Sequence, residues 1–294
     1  MLDRWALTAG PAFSGGNAGT VLAVTRADGS PAVLKIGFPH AEGIPEAIAL
    51  EAYPRGTAPL VPLQDPWTWP MLLERIDPGT PLANAGLDTG AALLVGAGLL
   101  ARIGRAAPVD GIPEVRTVVG GYSAAALTRW PEHRGHLDTL RATDLVSSAL
   151  DDLVALAGDD VAVAMLHGDF NPDNILCSPS GMFAIDPKPM VGDPAFDLWP
   201  LVSQLGAPFS RADPPTVLAG QLELVAGEAG CDATRCRLGI RAHRPHARVV
   251  PRREQPRPRR PQRAGARRLV TGSRPAPCGS GALMASPSRD ARPG

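Results

Sequence analysis

The chain has 294 residues, 44% of them hydrophobic, a length that holds one large domain or two lobes with a buried core. No run of about 18 apolar residues occurs, which argues against a helical membrane span, and MLDRWALTAG at the start lacks the basic-then-apolar order of a signal peptide. The net charge of zero hides an asymmetry: residues 235–294 hold 16 of the 29 Lys and Arg but only Glu254 and Asp290 of the 29 acids, leaving 1–234 at −14. An acidic body suits a cationic small molecule better than nucleic acid, although surface charge also serves solubility alone.

Residues 12–36 read as a β-hairpin followed by a third strand. The clearest strands are 21–25 and 32–36, about the turn Ala27-Asp28-Gly29-Ser30. The preceding loop, 14–19, includes Gly15 and Gly16. It is either a simple turn or a backbone cradle for phosphates, though it matches no strict GxGxxG pattern. Lys35, one of only two lysines with Lys188, lies inside the apolar run Ala32-Val33-Leu34-Lys35-Ile36. A lysine there is either edge-exposed and snorkelling or a phosphate clamp held by a helix glutamate. The next helical segment starts after Pro45, a residue suited to a helix's first turn. Its Glu46 is the preferred partner, with Glu42 and Glu51 as alternatives.

Residues 61–63 and 71–73 read as further strands around a turn at Asp65-Pro66. The break that follows, Glu74-Arg75-Ile76-Asp77-Pro78-Gly79, reads as a hinge in which Glu74 and Ile76 lie near an adenine edge. Residues 88–106 show helical spacing of Leu93, Leu94, Leu99, Leu100 and Ile103. Residues 123–157 read as two helices broken near Pro131, the last of which, 144–157, reads as structural.

The strand-like run 161–166 delivers the chain into His167-Gly168-Asp169. Asp169 is placed to accept or orient a substrate hydroxyl proton. Asn174, five residues on, offers an amide oxygen to Mg²⁺, which prefers oxygen ligands. Asp186 ends the short strand 182–185 and is a second Mg²⁺ ligand, facing the β- and γ-phosphates of ATP. His167 reads as a brace for the loop rather than a base. Acidic turns often do no more than cap strands, but HxDxxxxN followed by an apolar strand ending in Asp is far more specific. It points to a small-molecule phosphotransferase.

These residues resemble the aminoglycoside phosphotransferase superfamily. The segment AIDPKPMVGDPAFD, residues 184–197, is similar to IDPKGLVGDPAYD of the aminoglycoside/hydroxyurea resistance kinases, the group that includes streptomycin 6-kinases. AVLK and MLLERIDPG are similar to that group's AVLK and LLLERLDPG. The resemblance implies an α+β, two-lobed protein-kinase-like fold, with a small β-rich N-lobe (1–76) and a larger helical C-lobe (77–234). It implies Asp169 as the base, Asn174 and Asp186 as magnesium ligands, and Lys35 on the α- and β-phosphates. Asp197 would support the catalytic loop structurally, with Lys188 and Asp193 near the phosphate or the substrate. The implied reaction moves the γ-phosphoryl group of ATP to a hydroxyl of an aminoglycoside such as streptomycin. Hydroxyurea, a sugar or an amino alcohol are alternative acceptors, and an inactive pseudokinase is a further alternative.

Three departures stand out. Pro189 replaces a Gly and restricts the backbone beside Asp186. Phe170-Asn171-Pro172-Asp173 replaces Leu-His-x-Gly. From Arg235 the text turns to Arg and Pro without periodicity, too poor in apolar surface to offset ordering, so disorder is expected there. Such a tail is a phosphate-binding extension, a neutral low-complexity segment, or GC-rich coding sequence read out of register. The last is preferred, because the resemblance implies further C-lobe helices here and none is legible, and the phosphate-binding alternative lacks aromatics to stack on bases. The cysteines (Cys177, Cys231, Cys236, Cys278) show neither CxxC nor metal spacing, so a reducing cytoplasm is expected.

Overall fold

The computed structural model describes residues 1–13, 19–37, 44–65, 70–139, 143–156, 163–232 and 234–236. An antiparallel sheet built from the first 74 residues has the strand order β1-β2-β3-β5-β4. Its strands are β1 (Thr8–Ala12), β2 (Gly19–Thr25), β3 (Pro31–Gly37), β4 (Leu63–Gln64) and β5 (Pro70–Glu74). Side chains alternate faces along a strand, which decides where Lys35 goes. Ala32 and Leu34 of β3 join Leu7, Val24 and Leu72 in a small cluster on one face. Val33 packs on the other face with the main core, alongside Met71 and Leu73, and Lys35 shares its parity. Against that face lies α1 (Glu46–Ala52), which begins directly after Pro45 and buries Ala47, Ala49 and Leu50.

Beyond the sheet, α2 (Thr89–Ile103) is capped by the Asp88 carboxylate, which accepts the Ala91 N–H. Two long helices follow, α3 (Val115–Thr139) and α4 (Thr143–Leu156). Strand β6 (Thr80–Pro81) joins the hairpin of β8 (Ile175–Ser178) and β9 (Gly181–Ala184), and β7 (Ala164–Leu166) pairs antiparallel with β10 (Met190–Gly192). Helices α5 (Leu198–Gln204) and α6 (Pro214–Ala229) close the body against α2. No helix among the described residues is long and apolar enough to cross a membrane.

Several expectations change. The extra strand of the hairpin region lies upstream, at Thr8–Ala12, where it pairs with β2. Strand β4 starts at Leu63 rather than at 61. Helix α3 begins at Val115 and runs through Pro131 unbroken. Its start was hidden by Val-Val-Gly-Gly, a run of weak helix formers. Tertiary burial overrides that weakness: Val115 and Val119 pack on Leu166, Met190 and Phe196. Pro131 costs one helical hydrogen bond, which the remaining turns of a 25-residue helix absorb. Its described part ends at Thr139 and α4 begins at Thr143, with 140–142 outside the described residues. Helix α6 starts at Pro214 because Pro214 and Pro215 fill first-turn positions, where a missing N–H costs little.

The compositional boundary at 234/235 also shifts. Cys236 is 1% exposed and belongs to the main core, and Arg235 pairs with the Asp193 carboxylate. Residues 237–294, with the rest of the proposed tail, lie outside the described residues.

Candidate active site

Two pieces of strand pairing assemble the loop. Leu166 of β7 pairs with Met190 of β10, so the residues beyond each meet as well. The Lys188 N–H donates to the His167 carbonyl at 2.8 Å. This approach needs the glycine. Gly168 has φ +79°, and a Cβ there would lie 1.8 Å from the Lys188 carbonyl oxygen. The β8–β9 hairpin performs the second alignment. Ile175 pairs with Ala184, the Ile185 N–H donates to the Asn174 carbonyl at 2.9 Å, and Asp186 comes next. Twelve residues of chain thus fold back to set Asn174 beside the backbone that carries Asp186. Asp186 has a left-handed backbone, φ 57°, which few residues other than Gly, Asn and Asp tolerate.

The Asp169 carboxylate has two side-chain partners. Asn171 Nδ2 donates to Oδ1 at 3.0 Å, and the Lys188 ammonium lies 3.0 Å from Oδ2. Asn171 also caps the turn Pro172–Asn174, its Oδ1 accepting the N–H groups of Asp173 and Asn174. The Asn174 side chain donates through Nδ2 to the Asp169 carbonyl at 2.9 Å, which turns its Oδ1 outward.

Lys35 bridges the two halves. Its ammonium lies 2.5 Å from Glu46 Oε1 and 2.6 Å from Asp186 Oδ1. Burial works against the charged lysine, but the carboxylates of Glu46 and Asp186 outweigh it and hold Lys35 above its usual range. Burial raises Glu46, with Lys35 pulling the other way. At Asp186 burial also pushes upward, but the Lys35 contact prevails and the carboxyl stays below its usual range.

Behind the loop lies a sealed support. Asp197 is fully buried, and its two carboxylate oxygens accept the N–H groups of His167 at 2.6 Å and Gly168 at 2.7 Å. Burial pushes its carboxyl up to about 7, while those two donors pull downward. His167 is buried too, and burial lowers its imidazole to about 4. A carbonyl can only accept, so the contact between His167 Nε2 and the Ile185 carbonyl, 3.0 Å, places the ring proton on Nε2. Nδ1 then accepts the Asp169 N–H at 3.3 Å. Both ring nitrogens of the buried imidazole are thus engaged with backbone groups.

The remaining expected site residues fall elsewhere. Asp193 has a backbone partner and an arginine partner. Its carboxylate accepts the Ala195 N–H at the start of the turn Pro194–Asp197 and pairs with Arg235. Glu74 ends β5 and its carboxylate accepts the Leu60 N–H at 3.1 Å. Ile76 follows on the connector to β6. Gly15, Gly16 and the alternative Glu42 lie outside the described residues.

Two contributors escaped the sequence reading. Asn171 had a signal, a side-chain amide two residues from Asp169. Tyr53 had almost none beyond rarity, being one of two tyrosines. Its hydroxyl donates to the Leu166 carbonyl at 2.8 Å, tying the end of α1 to the strand that enters the loop. Burial raises that hydroxyl well above its usual range, so it remains a donor.

An antiparallel sheet whose lysine is held by a helix glutamate, set against a helical body that carries a His-Gly-Asp loop, defines a phosphotransferase of protein-kinase-like fold. The chain belongs to the aminoglycoside/hydroxyurea antibiotic resistance kinase family, which it matches over residues 4–246, and so to the phosphotransferases with a hydroxyl acceptor. It is 35% identical over 243 residues to a streptomycin 6-kinase of Streptomyces glaucescens, covering 80% of this chain and 75% of that protein. A hydroxyurea phosphotransferase of Kitasatospora aureofaciens is 36% identical over 245 residues, covering 81% and 67%. Among solved structures, a Plasmodium vivax ethanolamine kinase aligns with TM-score 0.55 at 11% identity, over 81% of this chain and 73% of that one. A thermostable mutant of an aminoglycoside phosphotransferase, solved with AMP-PNP and hygromycin B, aligns with TM-score 0.50 at 16% identity, over 82% and 96%. At such identities these two likenesses speak for the fold alone.

Proposed function

We propose that the chain transfers the γ-phosphoryl group of ATP to a hydroxyl of an aminoglycoside, streptomycin before hydroxyurea. The observation that carries this reading is the arrangement of Asp169. Its carboxylate is oriented by Asn171 and Lys188, on a loop joined through its own carbonyl to Asn174. Asp169 takes the proton of the acceptor hydroxyl as that oxygen bonds to the γ-phosphorus, and the bond from phosphorus to the ADP oxygen breaks. In such reactions the protein contributes mainly position and charge. Lys35, held charged by Glu46 and Asp186, supplies a cation for the α- and β-phosphates. Lys188 places a second cation beside the base. An acidic body between residues 1 and 234 favours streptomycin, which bears guanidinium groups, over neutral hydroxyurea.

The donor set fits Mg²⁺. Asn174 keeps Oδ1 for a hard cation because its Nδ2 is committed to the Asp169 carbonyl, and Asp186 offers a carboxylate that is 58% exposed. Among the described residues no cluster of three or more His, Cys, Asp or Glu is poised for a metal. A cation that keeps its waters and shares phosphate oxygens needs only one or two protein ligands. Bound there, Mg²⁺ neutralises the charge of the transferring phosphates.

ADP release, followed with streptomycin, other aminoglycosides and hydroxyurea in turn, tests the reading. Turnover of hydroxyurea with none of streptomycin reverses the substrate order; Asp169→Asn keeping full turnover removes the mechanism. Residues 247–294 lie beyond the family match, and we read them as out-of-register sequence that leaves the chain less stable and less active than its relatives. Expression beside a version with an in-frame C-terminus restored checks this, and equal solubility and drug resistance would sink it.

A further inference from the structure

Next to the His167–Asp169 loop is a cavity of about 250 Å³ walled by Pro45, Gly168, Lys188, Met190, Tyr122 and Trp199. Two of these residues fix its relation to the chemistry. Gly168 adjoins Asp169 in the chain, and the Lys188 ammonium lies 3.0 Å from the Asp169 carboxylate. The other walls are apolar or aromatic and come from separate elements. Trp199 belongs to α5, is 8% exposed and is fixed edge-on against Phe209 at 6.2 Å. Tyr122 belongs to α3, whose neighbouring turn is anchored by Val115 and Val119 on Leu166 and Met190. It is nonetheless 49% exposed. A large aromatic half exposed on an anchored helix, lining one cavity with a buried tryptophan and with the lysine that pairs with Asp169, has the form of a ligand wall.

We propose that this cavity holds one saturated, hydroxylated ring of the acceptor. The C–H faces of the ring pack on Tyr122 and Trp199, and one ring hydroxyl turns toward Asp169. The inference rests on the phosphotransferase reading above and deepens it. The volume falls short of the roughly 300–1,000 Å³ usual for a drug-sized ligand, so one ring enters and the rest of the acceptor stays outside. Hydroxyurea has no ring face, and the aromatic walls give it no purchase. Specificity in this chain therefore resides in Tyr122, on a helix apart from the loop that performs the chemistry.

The test measures streptomycin binding by titration calorimetry and ADP release by steady-state kinetics, for the wild type, Tyr122→Ala and Tyr122→Phe. Tyr122→Ala is expected to raise the streptomycin Kd and lower kcat/KM by about tenfold, the worth of one aromatic face. Tyr122→Phe keeps the face and stays within about twofold, with the KM for ATP and the unfolding midpoint unmoved in both variants. A Tyr122→Ala Kd within twofold of wild type overturns the pocket. Equal losses in both variants, or a shifted KM for ATP, overturn the stacking role in favour of a structural one. Tyr122-dependent binding without ADP release upholds the pocket and overturns the phosphotransferase reading. A wild type that does not bind streptomycin overturns the pocket as well.

Discussion

The two clusters flanking Asp169 are built on opposite principles. On the side proposed for the nucleotide, Lys35, Glu46 and Asp186 form a chain of full charges, with Asp186 more than half exposed. On the support side, Asp197 and His167 are sealed from solvent and bond mainly to backbone. The charged cluster can exchange partners when phosphates arrive, because its groups attract any ion of the right sign. The sealed cluster cannot exchange, because each of its bonds replaces one lost to water and an orphaned group there is costly. A kinase needs both: a base held still and a cation free to change partners.

The comparison can be broken first at its centre. On the proposed mechanism Asp169→Asn removes the proton acceptor, and it is expected to lower kcat by about 10³-fold, within the range for general-base loss. Its unfolding midpoint should stay put, since this partly exposed side chain supports no core. A fall in stability that matches the fall in rate would mean that Asp169 is part of the support. Next comes the backbone of the sealed side. Gly168→Ala sets a Cβ 1.8 Å from the Lys188 carbonyl at φ +79°, and denaturant unfolding should show a loss of about 3 kcal/mol. Lys35→Ala leaves the buried Glu46 carboxylate unpaired and should cost about 2 kcal/mol. Adding Glu46→Gln should restore about half of that stability but none of the activity, which separates charge pairing from phosphate binding.

Titration sharpens the same contrast. Asp197 is held up to about 7 against a usual 3.8, so the folded state binds its proton more tightly. Its contribution to stability is full below about 3.8 and is lost as pH rises through about 7. His167 is held down to about 4 against 6.5, so the unfolded state binds that proton more tightly. Its contribution is full above 6.5 and is lost as pH falls through about 4. Between pH 4 and 6.5 the two slopes oppose, each at most about 1.4 kcal/mol per pH unit. Relative to wild type, Asp197→Asn should make stability rise with pH across that window, and His167→Gln should make it fall. Parallel profiles for all three proteins would show that neither group titrates as described. The smallest effect belongs to neither cluster: Arg116→Ala, at an exposed pair with Glu114, should change stability by no more than about 0.5 kcal/mol.

Legibility followed the same divide. The Asp169–Asn174–Asp186 spacing could be read because a turn and a hairpin, both local, set it. Lys35 was readable because strand parity and a following helix glutamate are also local. The partners of Asp193 were not legible: its spacing within the family-like segment was visible, but its bond to Arg235 depends on a residue 42 positions away. Pro131 misled because propensity is weaker than the packing that holds α3.

By itself the sequence determined the loop chemistry, the hairpin that joins Asn174 to Asp186, and the face of β3 on which Lys35 sits. These are matters of period, turn and spacing, which act over a few residues. Only the tertiary structure decided that Lys35 reaches Asp186 across 151 positions, that Asp197 holds two amides of the catalytic loop, and that Tyr53 ties α1 to β7. It also decided that Tyr122 and Trp199 line one cavity with Lys188. The physical reason is that a charge or a ring is indifferent to sequence distance. Its partner is whichever group the packed core brings within a few ångströms, and packing is a property of the whole chain.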